Sequence, residues 1–426
     1  MDIKTYKYPD KATWEAIQQR PAFDVTSLFD TVRSVLDDVK SGDDEAIRRY
    51  GEKFDKVYIA DLQVSADEIS EAEILLNDVL KEAIVVAHQN IEKFHASQRF
   101  DTLTVEAMPG VVCQQKTVPI EKVGLYIPGG TAPLFSSVLM LAVPAQIAGC
   151  KEIVLCTPPN REGKVHPAIL YAARISGVKK IFKVGGIQAI AAMTYGTESV
   201  PKVYKIFGPG NQYVVAAKQL VSLRDVAIDM PAGPSEVAII ADDKANPTFI
   251  AADFLSQAEH GADSQSVLIT TSEPLAEAVK KEINDQLTNL PRRDFAEKSL
   301  SFSYIVILEN DDEMIAFSNQ YAPEHLIIQT ENYKNISAII TNAGSVFLGQ
   351  YTPESAGDYA SGTNHTLPTK GYAKMYSGVN LDSFVKKITF QEITKEGLQL
   401  LGPSIEIMAE AEQLKAHKNA VTVRLM

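Results

Sequence analysis

The sequence predicts an α/β fold with two parallel β-sheets, and three patterns along the chain support this prediction. From Val123, short apolar runs alternate with segments whose apolar residues recur at helical spacing, which is typical of strands joined by crossover helices. A second series of such runs begins after Ile228. The stretches before Val123 and after Ile393 show helical spacing. We therefore expect a helical N-terminal section, two α/β units and a helical C-terminal tail.

The N-terminal section, about residues 11–99, is predicted to be helical because its apolar residues recur three and four positions apart. The clearest stretches are 25–36 and 74–85. Ser65 precedes the second of them and is a suitable N-cap residue. We expect this section to support the fold or to form a dimer contact.

The two α/β units are predicted from eight apolar runs and the helical segments between them. The first unit has the runs VGLYI, EIVLC, KIFKV and VYKIF, and the second has EVAIIAD, SVLITT, YIVILEN and SVFLG. In the first unit, helices are expected up to Ala148, over Pro167 to Ile175, from Gln188, and over Asn211 to Val221.

Composition excludes several classes of partner. The 426 residues are 45% apolar and carry a net charge of −13, so nucleic acid and anionic membrane surfaces are not expected as partners. The start MDIKTYKYPDK is too polar for a signal peptide and no run of eighteen apolar residues occurs, so a cytoplasmic location is expected.

Cys113, Cys150 and Cys156 show no CxxC spacing, which argues against disulfides and thiolate zinc sites. Cys113 and Cys150 fall in apolar patterns and are expected in the core.

The stretch from Ile228 to Gln265 combines a turn, a strand and a helix with candidate metal ligands. Asn246 followed by Pro247 predicts the start of a helix. Near its end, Gln257 and His260 are three residues apart and share one helical face, so they could bind one metal ion. Solvated polar residues near a helix end are the alternative. Three more of the seven histidines follow in the polar clusters PEHL, PESAGDYASGTNH and EQLKAH.

Glycine-rich turns follow three predicted strands, where an open parallel sheet binds ligands. They are YIPGGTAP, VGGIQA and FGPGNQY. The last is nearest to a dinucleotide fingerprint, but Tyr213 stands where the third glycine would be, so a regular Rossmann pyrophosphate site is not supported. Tight turns without a ligand explain these glycines equally well.

Several longer motifs resemble the histidinol dehydrogenase family, the zinc enzymes that complete histidine biosynthesis. The resemblance runs in order from about Val123 to Leu425, through GLYIPGG, GGIQAIAA, GPGNQYV, IDMPAGPSEV, SQAEHGADSQ, APEHL, PESAGDYASGTNHTLPT and HKNAVTVRL. It implies two incomplete Rossmann-like domains similar to aldehyde dehydrogenases. It also implies oxidation of L-histidinol to L-histidine through L-histidinaldehyde, in two successive NAD⁺-dependent hydride transfers.

The same resemblance implies the site residues. The positions that match zinc ligands, for one Zn²⁺ per subunit, are Gln257, His260, Asp358 and His417. In the matching catalytic pair, His325 is the acid/base and Glu324 activates water. The positions that match substrate contacts are Ser235, Glu354, His365 and Glu412, together with His325 and the four zinc ligands. The positions that match NAD contacts are Tyr126, Gln188 and Asn211.

The resemblance also implies a domain division and a partner. It gives an N-terminal arm (1–22), an α/β domain with most metal and catalytic residues (23–122 and 236–375), an NAD-binding α/β domain (123–235) and a C-terminal tail (376–426). Because Glu412 and His417 lie in the tail, which relatives supply from a second subunit, a homodimer with shared active sites is expected.

Two other functions remain open at this point. A metal hydrolase could use Glu324 as a base on zinc-bound water, with purely structural glycine turns. A non-catalytic small-molecule binding protein is the other, because α/β folds host many such modules. Within the family, the substrate could instead be another amino or hydroxy alcohol.

Overall fold

The computed structural model describes residues 3–21, 25–129, 132–231 and 233–426. Parts of four predicted features lie outside the described residues: Met1, Asp2 and Ala22 of the arm, Phe23 and Asp24 at the start of the next unit, Gly130 and Thr131 of the turn YIPGGTAP, and Ala232 of the stretch IDMPAGPS.

The N-terminal part contains one strand and four α-helices before a β-hairpin. The elements are β1 (Lys4–Lys7), α1 (Trp14–Ile17), α2 (Phe29–Tyr50), α3 (Ala66–Leu75), α4 (Asp78–Ala96), β2 (Leu103–Met108) and β3 (Val111–Pro119). Helix α3 starts at the predicted cap, because the Ser65 hydroxyl accepts the Glu68 N–H while the Glu68 carboxylate accepts the Ser65 N–H. The helical N-terminal section is thus confirmed.

The smaller parallel sheet has the strand order β6-β5-β4-β7-β8. Its elements are β4 (Lys122–Tyr126), α5 (Phe135–Ala148), β5 (Glu152–Thr157), α6 (Pro167–Ile175), β6 (Lys180–Lys183), α7 (Gly186–Tyr195), β7 (Lys205–Phe207), α8 (Gln212–Ser222) and β8 (Ala227–Ile228). Each strand except β8 coincides with a predicted apolar run, so the first α/β unit is confirmed.

The larger parallel sheet has the strand order β1-β11-β10-β9-β12-β13. Its further elements are β9 (Glu236–Ala241), α9 (Pro247–Ala258), β10 (Gln265–Thr270), α10 (Glu273–Leu287), α11 (Arg293–Leu300), β11 (Tyr304–Ile307), α12 (Asp311–Tyr321), β12 (His325–Gln329), α13 (Tyr333–Ser337), β13 (Ser345–Leu348) and α14 (Glu354–Tyr359). Strand β12 was not among the predicted runs. It pairs with β9 and β13 in the interior of the sheet, which buries His325.

The C-terminal part adds a strand to the hairpin before the predicted helical tail. The elements are β14 (Val385–Ile393), α15 (Lys395–Ala411) and α16 (Lys415–Leu425). Strand β14 pairs antiparallel with β3 in a three-stranded sheet that sequence patterns did not predict. Most of its residues are exposed, so no apolar run marks it. Cys113 lies on β3 and is exposed, so its expected core position is wrong, whereas Cys150 and Cys156 are buried.

Shorter helices connect several of these elements. They span Lys11–Thr13, Val25–Leu28, Gly51–Asp55, Tyr372–Lys374 and Leu381–Phe384. Among the described residues, no helix is long and apolar enough to cross a membrane.

Packing divides the chain differently from the predicted domains. Helices α2, α3 and α4 pack against α5, α6, α7 and α8, and their apolar faces share two cores with the smaller sheet. Residues 25–96 therefore belong with 122–228 and not with 236–375, because the faces of a parallel sheet must be covered by helices. In the arm, β1 forms the edge of the larger sheet, and Trp14 and Ile17 pack in its core.

Replacing Ile47 on α2 tests this packing. The side chain is 2% exposed within the core of the smaller sheet, so Ile47→Ala should lower the free energy of unfolding by about 2–5 kcal/mol. Urea denaturation followed by circular dichroism measures the change. Leu223→Ala, at a position that is 74% exposed, is the matched control and should change it by less than about 0.5 kcal/mol. Equal effects would contradict the packing of α2 on this sheet.

Candidate metal and catalytic site

The candidate site lies where opposite edges of the two sheets meet. Glu236 and His325 are the first residues of β9 and β12, so they lie at the N-terminal edge of the larger sheet. Tyr126 is the last residue of β4, at the C-terminal edge of the smaller sheet. A cleft of about 760 Å³ beside these edges is lined by Asn211 from the unit of the smaller sheet and by His260 from the unit of the larger sheet. Open parallel sheets commonly bind ligands at the carboxyl ends of their strands, and the smaller sheet has this edge beside the cleft.

Three side chains converge beside this cleft, and one of them, His260, lines it. His260 follows α9, while Glu354 and Asp358 lie one turn apart on α14. One potential ligand atom from each lies within 4.8 Å of the other two. The shortest His260-to-Asp358 approach joins Nε2 to a carboxylate oxygen at 3.7 Å. The structure thus brings two predicted zinc ligands together and places Glu354 beside them.

Gln257 adds a further polar donor to this region. It lies in the last turn of α9, and the backbone N–H of His260 donates to the backbone carbonyl oxygen of Gln257 at 3.2 Å. Its side chain is fully buried, and neither amide atom has a hydrogen-bond partner among the described residues. Burial of an unpaired amide is costly, and a metal ion or a substrate group would offset that cost.

The electrostatics of the cluster also suit a cation. Burial raises the pKa of Asp358 to about 7, and burial together with the Asp358 charge raises the pKa of Glu354 well above its usual range. A divalent cation reverses this effect, because it stabilises the carboxylate form. Oxygen and imidazole nitrogen donors fit Zn²⁺ and neighbouring divalent ions. These residues therefore fit a zinc site.

The backbone of Glu236 contacts both Glu324 and His325. The N–H of Glu236 donates to Oε2 of Glu324 at 3.0 Å, and the carbonyl oxygen of Glu236 lies 3.3 Å from Nδ1 of His325. His325 Nδ1 is also 3.6 Å from Glu354, and its Nε2 is 3.7 Å from Asp358. The structure thus places the predicted catalytic pair directly against the cluster of His260, Glu354 and Asp358.

Burial sets the charge states of this pair. The pKa of His325 falls to about 3, chiefly by burial and secondarily through His260. Burial raises the pKa of Glu324 well above its usual range, although hydrogen bonds from Glu236 and Ser235 oppose the change. His325 is therefore neutral near pH 7, which leaves one ring nitrogen able to accept a proton.

Asp253 and Gln329 form hydrogen bonds that stabilise the cluster through α14. Neither residue was predicted from the sequence. The buried Asp253 carboxylate accepts the backbone N–H of Glu354 and, at 2.9 Å, the side-chain amide of Gln329. These bonds fix the first turn of α14. Asp253 precedes Gln257 by four residues on α9, so helical spacing was the one signal that could have indicated it.

His365 uses both ring nitrogens within the protein. Its Nδ1 lies 2.8 Å from the carbonyl oxygen of Asp358, and its Nε2 lies 3.0 Å from the hydroxyl of Ser137 on α5. His365 therefore joins the α14 segment to the unit of the smaller sheet. Of the other predicted substrate contacts, Ser235 lines the cleft and hydrogen bonds to Glu324.

The predicted NAD contacts lie around the glycine turns of the smaller sheet. The Tyr126 hydroxyl accepts the Gly186 N–H at 3.1 Å, and the Gln188 amide reaches Asp55 at 3.5 Å. The Asn211 side chain caps α8 by accepting the N–H groups of residues 213 and 214. These side chains form a polar surface at the turns that connect strands to helices, where open parallel sheets bind dinucleotides.

The turn before Asn211 requires glycine. Gly208 has φ of 125°, and a Cβ there would lie 2.0 Å from the Tyr126 carbonyl oxygen. Beneath it, Lys218 and Asp229 form a buried ion pair that also hydrogen bonds to the Gly208 carbonyl and N–H groups. The close backbone approach explains this glycine without a ligand, and it also fixes the loop beside the cleft.

Glu412 and His417 lie apart from the other predicted site residues. Both are exposed in the tail, and the group of potential ligands found among the described residues includes neither. Helices α15 and α16 pack on each other, and the N–H of Thr394 donates to the carbonyl of Gly110 in the hairpin. Within one chain, the tail is thus attached to the antiparallel sheet.

Comparisons with known proteins agree with the sequence resemblance. A model of the histidinol dehydrogenase family matches residues 18–425. Histidinol dehydrogenase from Bacteroides thetaiotaomicron is 65% identical over 423 residues, covering 99% of both chains. Histidinol dehydrogenase from Escherichia coli K12 is 54% identical over 409 residues, covering 95% of this chain and 93% of that protein.

A solved structure shows the same fold. The crystal structure of histidinol dehydrogenase from Elizabethkingia anophelis has a TM-score of 0.98 and 57% identity, covering 99% of this chain and 98% of that one. The predicted α/β fold class is therefore confirmed. With the family model spanning nearly the whole chain, the protein belongs to the histidinol dehydrogenase family of NAD-dependent oxidoreductases.

Proposed function

We propose that this protein oxidises L-histidinol to L-histidine through L-histidinaldehyde, in two successive NAD⁺-dependent steps. One observation carries the proposal: the cluster of His260, Glu354 and Asp358 adjoins the pair Glu324 and His325, and His260 lines a cleft that is also lined by Asn211, a predicted NAD contact. The groups proposed for metal binding and proton transfer thus lie beside a cleft that also contacts a predicted NAD-binding residue.

Zinc would be held by Gln257, His260 and Asp358, with His417 of the partner subunit as the fourth protein ligand. The unpaired Gln257 amide and the convergence of His260 with Asp358 support this assignment. When bound, zinc orients the polar groups of the substrate, and NAD⁺ accepts hydride from its carbon.

His325 would remove the proton of the substrate alcohol. Its Nδ1–H donates to the Glu236 carbonyl oxygen, so Nε2 carries the free lone pair. That nitrogen is buried and has no hydrogen-bond partner among the described residues. A neutral imidazole in this orientation can take the proton as the carbon is oxidised, and can return one later.

Glu324 would activate the water that hydrates the aldehyde. Its carboxyl is oriented by the Glu236 N–H and the Ser235 hydroxyl. In its charged form it can take a proton from water, and a bound cation favours that form. Oxidation of the resulting hydrate gives the carboxylate product.

The remaining residues would recognise and orient the substrate. Glu354 has two buried oxygens without hydrogen-bond partners among the described residues, so it can accept bonds from a cationic substrate group. Glu412 of the partner subunit would add a second carboxylate. We assign His365 to holding the Asp358 segment, because both of its nitrogens are already bonded.

A homodimer with shared sites is part of this proposal. The tail helices expose large apolar side chains, such as Ile407 at 71% and Met408 at 65%, which a second subunit could cover. Shared sites would also explain why His417 lies apart from the other ligands. The cytoplasmic location stays a prediction.

Turnover with L-histidinol tests the proposed function. The protein should form two NADH for each L-histidinol consumed, measured by absorbance and by quantifying L-histidine. Removal of metal with a chelator should abolish turnover, and added Zn²⁺ should restore it because the donor set fits that ion. No NADH with L-histidinol, or full activity in protein shown to be free of metal, would contradict the proposal.

Separate variants of the catalytic pair test the two proton-transfer roles. His325→Gln should slow the oxidation of L-histidinol about 100-fold or more, since general base catalysis contributes roughly that much. Glu324→Gln should slow the oxidation of supplied L-histidinaldehyde by a similar factor while retaining the first NADH. Stopped-flow absorbance resolves the steps, and Glu309→Gln, an exposed carboxylate, is the control. An identical loss of both steps in each variant would argue against the division of roles.

Mixing two inactive variants tests the shared site. If a homodimer exchanges its tails, a mixed dimer of Glu324→Gln and His417→Ala has one intact site. An equal mixture refolded together should regain about a quarter of the wild-type activity. Each variant refolded alone is the control. Absence of recovery in samples where mass spectrometry detects mixed dimers would exclude tail sharing.

A further inference from the structure

Arg20, a largely buried residue, connects the N-terminal arm to the backbone segments beside the catalytic pair. Arg20 follows α1, and its side chain is 15% exposed. Its Nε and Nη2 both contact the Glu236 carboxylate, with the Nη2 bond at 3.0 Å. A two-point guanidinium–carboxylate contact fixes distance and angle together. The first residue of β9 is thus attached to a segment more than 200 positions earlier in the chain.

Glu236 is also the residue whose backbone contacts both members of the catalytic pair. Its N–H bonds to Glu324 and its carbonyl oxygen faces Nδ1 of His325. Its side chain is almost fully buried. A rotation of this residue would therefore move both bonds at once, changing the direction of the Glu324 carboxyl and the tilt of the His325 ring.

Arg20 also contacts Tyr321, in the backbone segment that leads to Glu324. Its Nη2 donates to the carbonyl oxygen of Tyr321 at 2.6 Å, and its guanidinium lies 3.8 Å from the Tyr321 ring centroid. Tyr321 ends α12, and the turn that follows, with Ala322 at φ of 54°, leads directly to Glu324. Arg20 thus bridges the two backbone segments that fix the pair.

We infer that Arg20 is a positioning residue for Glu324 and His325, acting through Glu236 and the turn after α12. The N-terminal arm is then part of the active site without touching the substrate. This inference rests on the proposed function, because it assigns Arg20 to the same two proton-transfer residues. Zinc and NAD⁺ are held by other elements, so their binding should not depend on Arg20.

The test compares Arg20→Ala with wild type in the full-length, zinc-loaded protein. The kcat for L-histidinol should fall about 10- to 100-fold, as is usual for partners that orient functional side chains. The KM for NAD⁺ and the zinc content by metal analysis should stay within about threefold, because those contacts lie elsewhere. Added guanidinium should restore much of the kcat, while ammonium at equal ionic strength should not, because only guanidinium can bridge both segments.

Two further variants keep the test decisive. Lys7→Met breaks an exposed ion pair of the same arm with Glu273 and should leave kcat unchanged. Arg20→Lys keeps the charge but not the two-point contact, so it should lose kcat as well, and it replaces Arg20→Ala if that variant does not fold. An unchanged kcat in the folded variant, or a loss in Arg20→Ala that guanidinium does not restore, would overturn the inference. Wild-type protein without activity would instead refute the proposed function.

Discussion

The structure depends on burying several ionisable groups in one place. The carboxyl groups of Glu324, Glu354 and Asp358 surround the His325 imidazole, within 4 Å of one ring nitrogen or the other. Burial and mutual repulsion make their charged forms unfavourable, and a divalent cation is the component that reverses this. The fold therefore holds these groups together at a cost that protonation lowers and that a bound cation would offset.

Two parallel sheets meet this requirement by presenting opposite edges to one cleft. The larger sheet contributes the first residues of β9 and β12 and the helices α9 and α14 beside them. The smaller sheet contributes its carboxyl edge, with the tight turn at Gly208 held by the Lys218 and Asp229 pair. His365 and Ser137 connect the two sides by a hydrogen bond. Hydride donor and acceptor sites can thus lie adjacent while each remains on a rigid sheet.

Local signals in the sequence predicted much of the fold. Capping chemistry gave the starts of α3 and α9, and apolar runs gave most buried parallel strands. The exposed strand β14 lacked such a run, and β12 was missed because it begins within PEHL, which was interpreted only as a polar cluster. The proposed metal and catalytic residues were predicted from the family resemblance, since Gln257 and Asp358 are 101 positions apart and no local pattern joins them. Arg20, Glu236 and Asp253 went unnoticed, because their roles arise only from tertiary contacts.

Anomalous diffraction at the zinc edge, from crystals of the zinc-loaded protein, would locate the metal directly. We expect one zinc peak per chain at about 2.0–2.2 Å from side-chain atoms of Gln257, His260 and Asp358. A peak elsewhere, or one without His260 and Asp358 as ligands, would show that this cluster is not the zinc site.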